Sequence, residues 1–232
     1  MKVEIYSDVV CPWCYIARHR FAAAMAEYPG SADVELTWRP FQLDPEADAE
    51  PVPVRDAYTA KLGSPEQADE LIDQVSATAS AEGIALRLDR AQRANTFDAH
   101  RLLALALTEG GPAVQDRVHA ELCTAYFVDG RDIADHGELA AVAKQAGLDQ
   151  VDVEGYLSSD AGSAELRAEL GEGRALGLSS VPTYVFERRW AVTGAQSPEV
   201  LRDILVQIEQ ALLTGGGGCC GGGGGGCACG GG

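Results

Sequence analysis

Cations are scarce in this sequence: 18 Lys and Arg stand against 35 Asp and Glu, for a formal net charge of −17 over 232 residues. Nucleic acid or an anionic lipid surface would be repelled by such a chain, so neither is expected as a partner. Long apolar runs are also missing. None approaches the ~20 residues that span a bilayer, and the first residues alternate as a strand does instead of passing from a basic stretch into an apolar block. A soluble, cytoplasmic protein is the expectation. Hydrophobic residues still make up 46% of the chain, enough to bury a core in one large domain or in a small domain carrying an insertion. Seven cysteines would suggest disulfides in a secreted protein; in a reducing compartment they read as catalytic, metal-binding or inert, and position must decide.

Two of those cysteines sit in the stretch Val3-Glu4-Ile5-Tyr6-Ser7-Asp8-Val9-Val10-Cys11-Pro12-Trp13-Cys14-Tyr15. Val3 and Ile5 alternate with polar residues and lead into an apolar pair, a strand pattern, and from Cys11 the spacing turns helical. Proline is tolerated in the first turn of a helix, so Pro12 places the helix start at or next to Cys11. There the first thiol meets unpaired backbone N–H groups and the positive end of the helix dipole, which favour thiolate over thiol. Cys14, three residues on, shares that face and lies within disulfide reach. A dithiol that is nucleophilic and able to close on itself needs this arrangement.

The helix should continue through Phe21, Met25 and Tyr28 to a stop at Pro29-Gly30, followed by a strand in which Val34, Leu36 and Trp38 alternate with polar residues. Residues 44–54 carry Pro45, Pro51 and Pro53 and read as a loop. Ser64-Pro65-Glu66-Gln67 forms a capping box before a stripe of Ala68, Leu71, Ile72, Val75 and Ala79. Further helices are expected from Thr96 to Gly110-Gly111, from Pro112 to Phe127, from Asp135 to Gly147, and around 150–158 and 161–176. Strand chemistry returns over Val181–Phe186 with a hairpin partner at Trp190–Val192, and Ser197-Pro198 caps an amphipathic helix carrying Leu201, Ile204, Leu205, Ile208 and Leu212. The tally is β-α-β, a helical insert, then β-β-α. Only glycine, cysteine and one alanine remain after residue 214, a composition that cannot bury a core and reads as disordered.

The Cys-X-X-Cys at the first helix start, beside a β-α-β unit and well before a Val-Pro-Thr strand entry, resembles the thioredoxin superfamily. The large insert narrows the likeness. Ser7 through Tyr15, Asn95-Thr96-Phe97-Asp98-Ala99-His100-Arg101-Leu102, Ala125-Tyr126-Phe127 and Ser180 through Phe186 look like the FrnE-type branch of DsbA-like oxidoreductases, over roughly residues 1–213. The resemblance implies an α/β, thioredoxin-like fold with an all-helical insertion: a discontinuous domain of residues 1–43 and 178–213, an insert of 44–177, and a tail of 214–232. It further implies a cis peptide bond before Pro182, with Val181 and Pro182 packed against the dithiol. The activity implied is a protein disulfide oxidoreductase or isomerase, which reduces, oxidises or isomerises disulfides through a mixed disulfide on Cys11 that Cys14 resolves. No cofactor is expected beyond the redox-active disulfide, with glutathione as an alternative thiol partner, and the protein is a monomer or a dimer. Disulfide-containing or dithiol proteins are the expected substrates.

Other readings stand beside these. Cys11 and Cys14 could form half a zinc site, but two more ligands are needed, and His19, five residues past Cys14, points about 140° around the helix. A cysteine-based metal binder is thus one alternative. A glutathione-dependent isomerase or transferase of the 2-hydroxychromene-2-carboxylate isomerase or kappa type is another; those families resemble a pattern with serine where Cys11 stands. Trp13 is a substrate contact or a packing residue. Asp8 is a proton relay to Cys14 or a turn carboxylate at the strand end. His100 and Arg101 line the cleft or are structural, and Cys123, one turn before Phe127, reads as a buried inert thiol. Cys219, Cys220, Cys227 and Cys229 are accessory thiols that exchange with the active-site disulfide or capture a soft metal, or else they belong to a biased extension.

Overall fold

The computed structural model describes residues 1–47 and 52–215. Its centre is strand β1 (Lys2–Ser7), in which every residue after Lys2 is buried. A strand covered on both faces belongs in the middle of a sheet. β1 pairs in parallel with β2 (Glu35–Pro40), joined through helix α1 (Pro12–Glu27), and on its other side lies antiparallel to β5 (Thr183–Phe186). β5 continues into a hairpin with β6 (Trp190–Thr193), giving the order β2-β1-β5-β6. The hairpin turn places Glu187 and Arg188 at φ 49° and 54°, the left-handed pair of a tight turn whose twist matches the strands. Helix α8 (Pro198–Gly215) packs beside α1. Val3, Ile5, Phe21, Tyr184, Phe186, Leu201 and Leu205 form the apolar layer between the sheet and these two helices.

The chain between β2 and β5 is rich in helix. After a two-residue strand β3 (Val52–Pro53) come α2 (Val54–Leu62), α3 (Pro65–Ala81) and strand β4 (Gln92–Arg93), then α4 (Phe97–Thr124), α5 (His136–Gln145), α6 (Val153–Leu157) and α7 (Ser163–Ala175). Ser64 caps α3 by accepting from the Gln67 N–H, and Asp135 caps α5 through the Glu138 N–H, as their spacing foretold. Gly111, at φ 74° and ψ −174°, breaks α4 into the two helices read from Gly110-Gly111-Pro112. A wide turn over Ala125–Asp129 closes the second half before Gly130. Leu102, Leu122, Phe127, Ile133, Leu139 and Val142 make up a second core, which also holds Val9, Tyr15 and Ile16 from around the first helix. Tyr15 stacks on Phe127 at 5.5 Å and 6°, tying α1 to the inserted helices.

Three details depart from the sequence reading. α2 occupies residues left without a helix, because only Val54 of its nine residues is buried and no apolar stripe announces it; Asp56 in its first turn, Lys61 in its last and Gly63 at φ 83° supply the helix signals instead. The insert is helix-rich but also holds the β3–β4 ladder, Val52 against Arg93 and Pro53 against Gln92. Finally, α8 runs through Thr214 to Gly215. The expectations for the Gly/Cys segment beyond, including Cys219, Cys220, Cys227 and Cys229, lie outside the described residues.

Candidate active site

β1 ends at Ser7, and a turn closed by the Cys11 N–H on the Asp8 carbonyl at 3.0 Å delivers the chain into α1. Cys11 is the N-cap of that helix, with extended backbone (φ −87°, ψ 112°), and Pro12 is its first residue. The Cys11 carbonyl accepts the N–H groups of Cys14 and Tyr15 at 2.9 and 3.2 Å. Its thiol is therefore set beside the unpaired N–H donors of the first turn. Cys11 and Cys14 are both free thiols. Exposure separates them slightly: Cys11 keeps 5% and Cys14 1%, so Cys11 is the more accessible of two buried sulfurs.

The environment of Cys14 is protonating. Burial, and then its hydrogen bond to the Cys11 sulfur, push the Cys14 thiol well above its ordinary value of 9.0, while the Ser7 hydroxyl and the Asp8 backbone N–H pull the other way by stabilising the thiolate. Cys14 is thus held as a neutral thiol hydrogen-bonded to Cys11. Across the cleft, the Val181–Pro182 peptide bond is cis, and the Val181 carbonyl lies 4.0 Å from Cys11 Sγ. Val181 is half-buried and Pro182 buried. Trp13 is half-buried and packs on the inserted core.

Asp8 is 1% exposed. Its Oδ2 accepts the Leu43 N–H at 2.7 Å. Oδ1 lies 3.3 Å from His100 Nε2 yet has no hydrogen-bond partner, because that N–H donates to the Phe41 carbonyl at 3.0 Å. His100 is thus buried against Asp8 under the site. Arg101 points away from it: its guanidinium donates to the carbonyls of Tyr156, Leu157, Ser159 and Ala161 and to Asp98, clamping α4 to the α6–α7 connection. His19 is exposed, edge-on to Tyr15. Cys123 is buried, and burial pushes its thiol up to about 12. Among the described residues, no group of three or more His, Cys, Asp or Glu is placed to hold a metal ion.

Two features escape a sequence reading. His119 is fully buried, stacked on Trp38 at 3.7 Å and 8°, with Nε2 3.2 Å from Ser7 Oγ and Nδ1 3.8 Å from Cys123 Sγ. The i, i+4 spacing of His119 and Cys123 was visible; the contact with Ser7, 112 residues away, was not. The second is a cavity of about 640 Å³ that begins at Val10, next to Cys11, and runs along Leu43, Val54, Ala57, Tyr58, Ala94 and Tyr126. Burial pushes the Tyr58 phenol up to about 12, and the Cys11 charge adds to it, so this wall lies within electrostatic reach of the outer sulfur.

A model of the DSBA-like thioredoxin domain matches residues 2–206. The fold is similar to that of a probable DsbA oxidoreductase from Streptomyces coelicolor, with a TM-score of 0.83 and 38% identity over 90% of both chains. It is also similar to the cytosolic disulfide reductase DsbM from Pseudomonas aeruginosa, with a TM-score of 0.65 and 20% identity over 90% of this chain and 100% of that one. A 2-hydroxychromene-2-carboxylate isomerase gives a TM-score of 0.62 and 20% identity over 92% and 95%; at that identity the last two likenesses speak to fold alone. A curated relative, the uncharacterized protein YwbO of Bacillus subtilis, is 36% identical over 56 residues, so the chain spans only 26% of its length.

Proposed function

The chain belongs to the DSBA-like thioredoxin-domain family of disulfide oxidoreductases, and from that premise we propose that it exchanges disulfides with protein substrates through the Cys11–Cys14 dithiol. The supporting observation is the asymmetry of the two sulfurs: Cys11 at a helix N-terminus with residual exposure, Cys14 buried behind it and held as a thiol. In the reductive direction Cys11 attacks a substrate disulfide, forming a mixed disulfide and releasing one substrate thiolate. Cys14 then attacks Cys11 Sγ, the second substrate sulfur leaves with the electron pair, and the internal disulfide closes. The reverse sequence delivers a disulfide to a dithiol.

The Val181 carbonyl lies beside the outer sulfur, and the apolar cavity that begins at Val10 gives an extended substrate chain a surface near Cys11, with Trp13 and Pro182 as further contacts of this reading. Asp8, a buried carboxylate with one oxygen free to accept, takes the proton from Cys14 when it attacks. Substrates are disulfide-containing or dithiol proteins, the working compartment is the cytoplasm, and no cofactor is needed beyond the dithiol. Among the described residues no helix is long and apolar enough to cross a membrane.

Insulin disulfide reduction with a small-thiol donor tests this reading. Wild type turns over; Cys11→Ser loses turnover altogether. A chain truncated after Thr214 keeps its rate if the tail thiols stand outside the cycle and slows if they feed it. Full activity in Cys11→Ser would refute the proposal. Glutathione-dependent isomerisation of a chromene carboxylate that survives Cys14→Ser would establish the isomerase alternative in its place.

A further inference from the structure

Three buried groups that the dithiol chemistry above does not use are connected to Cys14 through successive contacts. Cys123 Sγ is 3.8 Å from His119 Nδ1, His119 Nε2 is 3.2 Å from Ser7 Oγ, and the Ser7 hydroxyl hydrogen-bonds the Cys14 sulfur. We propose that Cys123, His119 and Ser7 form a hydrogen-bond chain of fixed direction that ends on the Cys14 sulfur and steadies its thiolate as it attacks the mixed disulfide. The proposal rests on the dithiol reading and assigns the three as positioning residues for the resolving sulfur.

The direction follows from what each group can donate. Cys123 stays protonated because burial raises its thiol to about 12, and sulfur is a poor acceptor, so its S–H donates to Nδ1. His119 stays neutral because burial, followed by the charges of Arg18 and His100, lowers it well below 6.5. A neutral imidazole accepting at Nδ1 carries its proton on Nε2, so Nε2–H donates to Ser7 Oγ. With its lone pair engaged, the Ser7 hydroxyl donates to Cys14. The stack on Trp38 holds the ring plane that sets this line. Each bond in such a chain polarises the next, and a donor on a charged sulfur is worth more than one on a neutral group. The other ionisable side chains that act on or feel Cys14 are Cys11, and Tyr184 from β5, while Asp8 reaches it through its backbone N–H. In the resolving step no proton moves along the chain. Cys14 S–H gives up its proton to the departing substrate sulfur; the Cys14–Cys11 bond forms and the Cys11–substrate bond breaks.

The test is magnetic resonance on the reduced, full-length chain, read without turnover. Long-range ¹⁵N–¹H correlation reports the His119 tautomer, and the proposal requires the proton on Nε2; a proton on Nδ1, or an imidazolium, overturns it. The ¹³Cβ shift of Cys14 is then titrated in a Cys11→Ala background, which removes the thiol neighbour. Adding Ser7→Ala raises the midpoint by about one unit, a tenfold loss of thiolate at a given pH, equivalent to about 1.4 kcal/mol. Ser7→Thr, which keeps the hydroxyl, restores the midpoint. Cys123→Ala gives a smaller rise, and Cys123→Ser, which still donates, reverses it. An unmoved midpoint in Ser7→Ala refutes the chain. If that variant does not fold, the wild-type tautomer decides alone. A protein with the predicted tautomer and midpoints but no activity toward disulfides refutes the oxidoreductase reading and leaves the chain standing.

Discussion

Raising the pH should unfold this protein in a way that one buried thiol explains in large part. Cys123 is 1% exposed, and burial takes it from an ordinary 9.0 to about 12. A group whose folded value is raised contributes its full stability below the unfolded value and loses it as pH climbs toward the folded one. Between pH 9 and 12 the unfolded chain has shed the Cys123 proton and the folded chain retains it, so stability falls by about 1.4 kcal/mol per pH unit from this group. Over the three units the loss is about 4 kcal/mol, a large fraction of the 5–15 kcal/mol typical of a folded domain. The assay is urea unfolding at pH 8, 9, 10 and 11 of wild type and Cys123→Ser. Serine does not titrate in this range, so the wild-type stability should fall more steeply by about 1.4 kcal/mol per unit, while Tyr58 and Cys14 contribute equally to both. Parallel curves would show that the Cys123 thiol is not held protonated by the fold, and the donor role assigned to it would fall with that result.

Two further outcomes follow from the geometry. Arg101→Met leaves five acceptors, four of them the backbone carbonyls between Tyr156 and Ala161, without their buried cation; a cost of about 3–5 kcal/mol and a melting temperature lower by about 10 °C are expected in calorimetry, and a shift under 2 °C would contradict the clamp. Ala57→Trp fills the cavity beside Cys11; it should raise KM for a protein disulfide about tenfold, given the loss of an apolar docking surface, and leave the reaction of Cys11 with a small aromatic disulfide unchanged. Equal loss with both substrates would show that the cavity does not dock the substrate chain.

What the sequence made legible was local. Pro12 fixed the start of α1 on Cys11; Ser64 with Gln67 and Asp135 with Glu138 announced two helices; Gly111-Pro112 announced the break between two more. In each case the signal and its structural effect lie within a few residues. α2 was hidden because its helix signals are charges and a terminal glycine without an apolar stripe, and the cavity was hidden with it, since Ala57, Tyr58 and Lys61 line the opening. The place of His119 depends on the sheet, which brings Ser7 and Trp38 against it from distant parts of the chain. The cis bond before Pro182 came from a family likeness and not from local chemistry, for cis is the minor form even before proline. Asp8 was noticed as a carboxylate at a strand end, but its burial against His100 depends on where α4 lands.

The central claim is that Cys11 attacks and Cys14 resolves, and the most direct measurement is a trap. Cys14→Ser, incubated with a protein disulfide and quenched with acid, should accumulate a covalent adduct one substrate chain heavier, with the linkage mapped by peptide mass to Cys11, while wild type under the same conditions shows its internal disulfide and no lasting adduct. An adduct on any other cysteine, or none at all, would contradict the account.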